Sequence, residues 1–175
     1  MTAYIGGDER AFQELFRRTA PSIHGFFMRA FASRAAADDL MQTTFYKMHR
    51  ARAQWRSDRR LRPWLFSIAA RVRLDELRRR YGLRDDASPE AIEQAADAAV
   101  PASAEDEAAR ADLTAAVHAA LARLPESQRV VVHLHRFEGL TFAEIGQVLG
   151  ATEGAIKLRA FRAYAELRRR LDGVL

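Results

Sequence analysis

The stretch from Thr141 to Arg159, TFAEIGQVLGATEGAIKLR, carries two glycines four residues apart, Gly146 and Gly150, and a basic segment just beyond them. Lys157, Arg159 and Arg162 surround the small residues Gly154 and Ala155. The chemistry on offer there is electrostatic: cations for phosphates and guanine edges, and small residues that admit close approach of a duplex. Covalent chemistry has little to work with. The chain has no cysteine, so thiolate nucleophiles and thiolate metal sites are excluded. His133 and His135 form a tempting pair, but residues two apart on a helix point about 200° away from each other and cannot chelate one ion. No glycine loop of the phosphate-cradling kind occurs. Neither a metal, a cofactor nor an enzymatic reaction is expected.

The elements that must position those cations are helices. Thr141 and Glu144 have capping-box spacing, so a helix is predicted to begin there. Ile145, Val148 and Leu149 give it an inward face. Gly146 suits a close helix crossing, and Gly150 a tight turn with positive φ. Thr152 caps a second helix whose Ile156, Ala160, Ala163, Tyr164, Leu167 and Leu171 form one apolar stripe. Opposite the stripe lie Ala155, Leu158, Arg162 and Arg169, with Arg159 and Lys157 on the flanks. This is the pattern of a helix-turn-helix whose second helix enters a DNA groove.

Elsewhere no segment alternates apolar and polar residues in the manner of a strand. Asp8 caps a helix carrying Phe12, Leu15 and Phe16, and Ile23, Phe26, Phe27 and Ala30 form another after Pro21. A third runs from about Ser33 to Arg52. QWRSDRRLR then interrupts, and Pro63 opens a fourth reaching Tyr81. Residues 83–105 mix Gly, Pro, Ser, Ala and acids and read as a linker, with one short helix beginning at Ser88-Pro89-Glu90. In the remaining block one helix carries Leu113, Val117, Ala120, Leu121 and Leu124. Pro125 starts the next, which holds Val130, Val131, Leu134 and Phe137 and stops at Gly139. The expected fold class is all-α: two small helical domains, 1–82 and 106–175, joined by a flexible acidic linker, the second domain containing the helix-turn-helix.

Charge follows the same partition. Residues 1–84 hold 18 basic and 8 acidic side chains, net +10, and residues 113–175 hold 9 and 6, net +3. Between them, residues 85–112 hold 1 basic and 9 acidic side chains, net −8. Basic blocks suit a polyanion, because neutralising phosphates releases condensed counterions. The N-terminus has no signal-peptide pattern and no apolar run approaches a membrane span. A cytoplasmic location without membrane insertion is expected.

Three segments carry a resemblance. DDLMQTTFYKMHRA (Asp38–Ala51), RPWLFSIAARVRLDELRRR (Arg62–Arg80) and the run from Leu124 to Leu171 resemble, in this order, segments of the extracytoplasmic-function group of bacterial sigma factors. The resemblance implies an alternative sigma factor that binds core RNA polymerase and directs promoter-specific initiation, with promoter DNA and an anti-sigma factor as further partners. It assigns Asp39, Leu40, Gln42 and Phe45 to core-polymerase contact. It assigns Trp55, Arg56, Arg59, Arg60, Arg62, Arg71 and Arg78 to reading and melting the −10 element, where cations and stacking surfaces hold the opened strand. Ala155, Lys157, Leu158, Arg159 and Arg162 fall to the −35 element. Trp64 and Phe66 are read as core. Two positions depart from the group: Val72 stands where asparagine is common, and Leu158 where serine is common, able there to meet a thymine methyl. Two other functions remain open from the sequence, a sigma-like decoy for an anti-sigma factor and a stand-alone helix-turn-helix regulator.

Overall fold

Caps set where the helices begin. In a computed structural model, which describes residues 1–84, 87–88, 91–92, 94–95 and 113–172, a short α1 spans Thr2–Ile5 and α2 spans Glu9–Phe31. The Asp8 carboxylate accepts the N–H groups of Arg10 and Ala11 at 2.9 and 3.2 Å. The break expected at Pro21 does not occur: Pro21 lies inside α2. Its missing N–H costs about 3 kcal/mol in a helix interior. Ile23, Phe26 and Phe27, each 0% exposed, lie on the far side of it. Burying such side chains contributes about 1.5–3 kcal/mol apiece, so packing outweighs the proline.

Ser33 caps α3 (Arg34–Ala51), its Oγ accepting the N–H of Ala36 at 3.3 Å. A single 3₁₀ turn, Arg52–Gln54, leads into an extended loop, and α4 spans Leu61–Arg80. Pro63 sits in the first turn of α4, where backbone N–H groups have no helical partner in any case.

The C-terminal half begins with α5 (Leu113–Ala122) and α6 (Glu126–Val132). The expected single helix to Phe137 changes pitch on the way, since His133–Phe137 form a π turn. Apolar spacing does not report such a turn. Then come α7 (Phe142–Leu149) and α8 (Glu153–Leu171). Among the described residues there is no strand, and no helix is long and apolar enough to cross a membrane.

Phe26 meets Phe27 and Phe66 edge-on, with ring centroids 5.5 and 5.6 Å apart, at the centre of the N-terminal half. Val131, Leu134, Ile145 and Ile156 fill the C-terminal one, and both groups belong to one continuous apolar cluster. The halves are therefore packed together, α4 along α7 and α2 against the π turn. Sequence reading treats them as separate modules and gives no sign of this seam. Most of the linker, 83–105, and with it the question of its flexibility, lies outside the described residues. Of the described part, the Ala87 carbonyl accepts Arg78 Nε and Nη2 at 3.1 and 2.7 Å, and Ile92 is 0% exposed. The Ser88 hydroxyl accepts the N–H of Ala91 at 3.2 Å, as expected where a short helix starts.

Candidate nucleic-acid interface

The turn between α7 and α8 is fixed from both sides. Thr141 and Glu144 form a complete capping box: the Glu144 N–H donates to Thr141 Oγ1 at 3.2 Å, and the Thr141 N–H to Glu144 Oε2 at 2.9 Å. That backbone N–H, with Arg60 and the Thr141 hydroxyl, holds the Glu144 carboxyl below its usual range. A Cβ on Gly146 would stand 2.6 Å from the Ala151 carbonyl oxygen, so only glycine permits this crossing. Gly150 ends α7 at φ 66°, ψ 36°, a left-handed conformation. Thr152 Oγ1 then accepts the Ala155 N–H at 3.2 Å and starts α8.

With Ile156, Ala160 and Ala163 buried, α8 turns its other face outward. Leu158 is 50% exposed, Lys157 and Arg162 are exposed, and Ala155 and Arg159 are half-buried. Lys157 is engaged by Glu153 at 2.7 Å. Phe161, 73% exposed on the same face, escaped the sequence reading although it stands three residues from Leu158.

The loop before α4 is less free than its composition suggests. Arg56 pairs with Asp58, with Nε and Nη2 at 3.2 and 3.1 Å from its two oxygens. Arg59 and Arg71 are exposed, and Trp55 is half-buried with its indole N–H unpartnered. Arg60 reaches Glu144 at 2.7 Å and Arg62 reaches Glu138 at 3.1 Å, both across the seam. Arg78, only 16% exposed, is held by Ala87 and Asp75, which leaves it a positioning residue for the linker start. Phe66 is core at 1% exposed, and Trp64 packs partly buried against it, as expected. Val72 is 2% exposed, so the departure from asparagine changes the core and not the surface.

Arg73 is the largest fully buried side chain. Its Nε donates to Glu126 Oε1 at 2.6 Å, and Nη1 lies 3.1 Å from His133 Nδ1. Burial pushes the guanidinium down from its usual value, against the pull of Glu126. Burial also works to raise Glu126, but Arg73 and Arg129 prevail and keep its pKa low. His133 is held well below 6.5 by burial and by the neighbouring arginines. Glu138, whose side chain is 2% exposed, accepts from Arg29 as well as Arg62, and burial lifts its pKa despite them. Arg29 also lies over the Phe137 ring, 4.6 Å from its centroid.

On α3, Asp39 and Gln42 are exposed and Leu40 is half-buried. Phe45 is only 5% exposed and its ring meets Phe16 at 4.7 Å, so it props the helix from inside and is not itself a contact surface. Helical phase puts it on the inner side, whereas Tyr46, 61% exposed, continues the outer strip. The two histidines pack as read: His133 faces Arg73, and His135 stacks on Phe142 with its Nδ1 2.9 Å from the Leu140 carbonyl. No cluster of metal-ligating side chains exists among the described residues.

Comparison with known proteins places this arrangement. The model for sigma-70 region 2 matches residues 15–82, and that for sigma-70 region 4 matches residues 114–167. RNA polymerase sigma factor CarQ of Myxococcus xanthus is 38% identical over 168 residues, 96% of this chain and 93% of its own. The ECF RNA polymerase sigma factor SigM of Mycobacterium tuberculosis is 33% identical, covering 98% of this chain and 82% of its own. Among solved structures, sigma factor RpoE of Bartonella quintana, in complex with the anti-sigma factor NepR, shares the fold. Its TM-score is 0.71 at 22% identity, over 93% of this chain and 98% of that one. CnrH, in complex with the cytosolic domain of CnrY, superposes with a TM-score of 0.67 at 25% identity, over 96% and 92%. The chain belongs to the sigma-70 family, in its extracytoplasmic-function group, and is an alternative sigma factor of transcription initiation. Its relatives are transcription factors rather than enzymes.

Proposed function

We propose that residues 1–82 bind core RNA polymerase and engage the −10 element, that residues 106–175 read the −35 element as duplex, and that 83–105 link them. The observation that carries this reading is the α7–α8 turn, which leaves Leu158, Phe161, Arg162 and Lys157 outward on a helix whose other side is buried. Arg162 and Lys157 meet phosphates or base edges there, and Leu158 meets a thymine methyl. The exposed strip Asp39, Gln42 and Tyr46 on α3 is the polymerase contact, with Leu40 at its margin. Trp55, Arg56, Arg59, Arg60, Arg62 and Arg71 hold the opened −10 strand. Group membership supports an anti-sigma factor as the inhibitory partner, and action in the cytoplasm, where polymerase works.

Run-off transcription with purified core polymerase tests the reading. Promoter-dependent product is expected only when this chain is added. Asp39→Ala should weaken core binding, and Arg162→Ala should weaken −35 duplex binding while core binding stays. Absence of product from a library of upstream sequences would overturn the assignment.

A further inference from the structure

Four ion pairs cross the seam between the halves, and in each the acid comes from the C-terminal half. Glu138 takes Arg29 and Arg62, Glu144 takes Arg60, and Glu126 takes Arg73. Resting on the reading that the loop and α4 meet −10 DNA, we propose that this seam is a closed form in which the three glutamates stand in for DNA phosphates. The C-terminal half and the opened promoter strand then compete for one set of cations, and engagement requires the halves to part.

Carboxylate and phosphate present oxygens to a guanidinium fork in the same way, so occupancy by one excludes the other. The competition reaches beyond Arg60 and Arg62. Arg73 follows Arg62 by eleven residues, which on a helix of 100° per residue returns it within about 20° of the same face, about 16 Å further along. In the closed form Arg73 is 2% exposed and reaches no external anion. Opening would bare it as a third cation in line.

The seam is also built to yield. Arg73 Nη2 and Arg29 Nε are buried without a hydrogen-bond partner. A cavity of about 270 Å³ lies along it, walled by Arg71, Arg73, Ile92, Glu126, Val148 and Arg159. Unsatisfied donors and incomplete packing are costs borne only while the halves are together. Buried ion pairs recover most of their attraction as hydration when exposed, so they fix the register of a contact more than its strength. Apolar contact from α4 and α7 supplies the attraction, and the charges decide what can replace it.

The experiment uses the full chain, whose lack of cysteine makes introduced thiols unique. Exposed Gln13→Cys and Ala165→Cys carry a donor and an acceptor dye. In this background Glu138→Gln with Glu144→Gln should lower energy transfer. The same variant should bind a fluorescent single-stranded oligonucleotide about tenfold more tightly, as follows if the open form is about a tenth of the wild-type population. Separately, Ser67→Cys and Gln147→Cys, which wall one crevice between α4 and α7, are joined by a reductively cleavable linker. The locked chain should give no run-off product with core polymerase, and cleavage should restore it. Full run-off from the locked chain, or unchanged energy transfer and oligonucleotide binding in the glutamine variant, would overturn the proposal. Failure of the unmodified chain to give any product would instead strike the functional reading beneath it.

Discussion

Replacing Glu126 by glutamine isolates the charge on which Arg73 depends. The two residues are 8% and 2% exposed, and Oε1 stands 2.6 Å from Nε. Glutamine keeps the volume and one acceptor but removes the anion. The guanidinium is then left over the Phe26 ring, 5.1 Å from its centroid, beside a histidine whose pKa is depressed. Breaking a buried pair in this way costs about 3–5 kcal/mol. An exposed pair such as Lys47–Asp75, with side chains 46% and 55% exposed, is worth about 0–1 kcal/mol. The cost falls only on the state that buries Arg73, so separation of the halves caps it. Removing both partners, Arg73→Met with Glu126→Leu, lifts both desolvation costs and should be neutral or stabilising by about 1–4 kcal/mol. Urea unfolding followed by far-ultraviolet circular dichroism, on the wild type, both single variants and the double, closes the cycle. A loss below about 1 kcal/mol for Glu126→Gln, with no change in energy transfer between the labelled halves, would refute the reasoning.

Thr141→Ala removes one arm of the capping box and should cost about 1 kcal/mol in thermal or urea unfolding. Gly146→Val drives a branched side chain into the Ala151 carbonyl, so −35 duplex binding in a mobility-shift assay should be lost while core-polymerase pull-down persists. His133 refuses in the folded chain a proton that the unfolded chain takes up below its ordinary value of 6.5. Stability should therefore be level above about pH 7 and fall on acidification through that value, by up to about 1.4 kcal/mol per pH unit. Glu138, its pKa raised by burial, contributes with the opposite sign, so comparison with His133→Gln separates the two: the variant's melting temperature should lose that acid limb. A limb that persists in His133→Gln would rule the histidine out as its source.

The helix-turn-helix was legible in the sequence because each of its devices is local. A cap, a glycine at a crossing, a glycine in a left-handed turn and a 3.6-residue stripe lie within thirty residues of one another. Pro21 misled because its penalty is local while the compensation, the burial of Ile23, Phe26 and Phe27, comes from other helices. Phe45 was assigned by resemblance, and the geometry of α3 turns it inward, leaving Tyr46 outside. Arg73, Glu126 and Glu138 were silent: each lies far in sequence from its partner, with 53 residues separating Arg73 from Glu126 and 109 separating Arg29 from Glu138. A charged residue destined for burial looks in a sequence like any other arginine or glutamate on a helix.

The π turn at His133–Phe137 carries a consequence for how this helix tolerates change. A five-residue closure takes up one residue more than an α turn, so it acts as a phase shifter between α6 and the segment that leads into α7. Upstream of it the side chains answer to one neighbour, and downstream Glu138 is aimed at another. Deleting a single residue there would relax the winding to regular pitch and rotate everything beyond by about 100°. The DNA-facing helix would keep all of its residues and present them in the wrong direction.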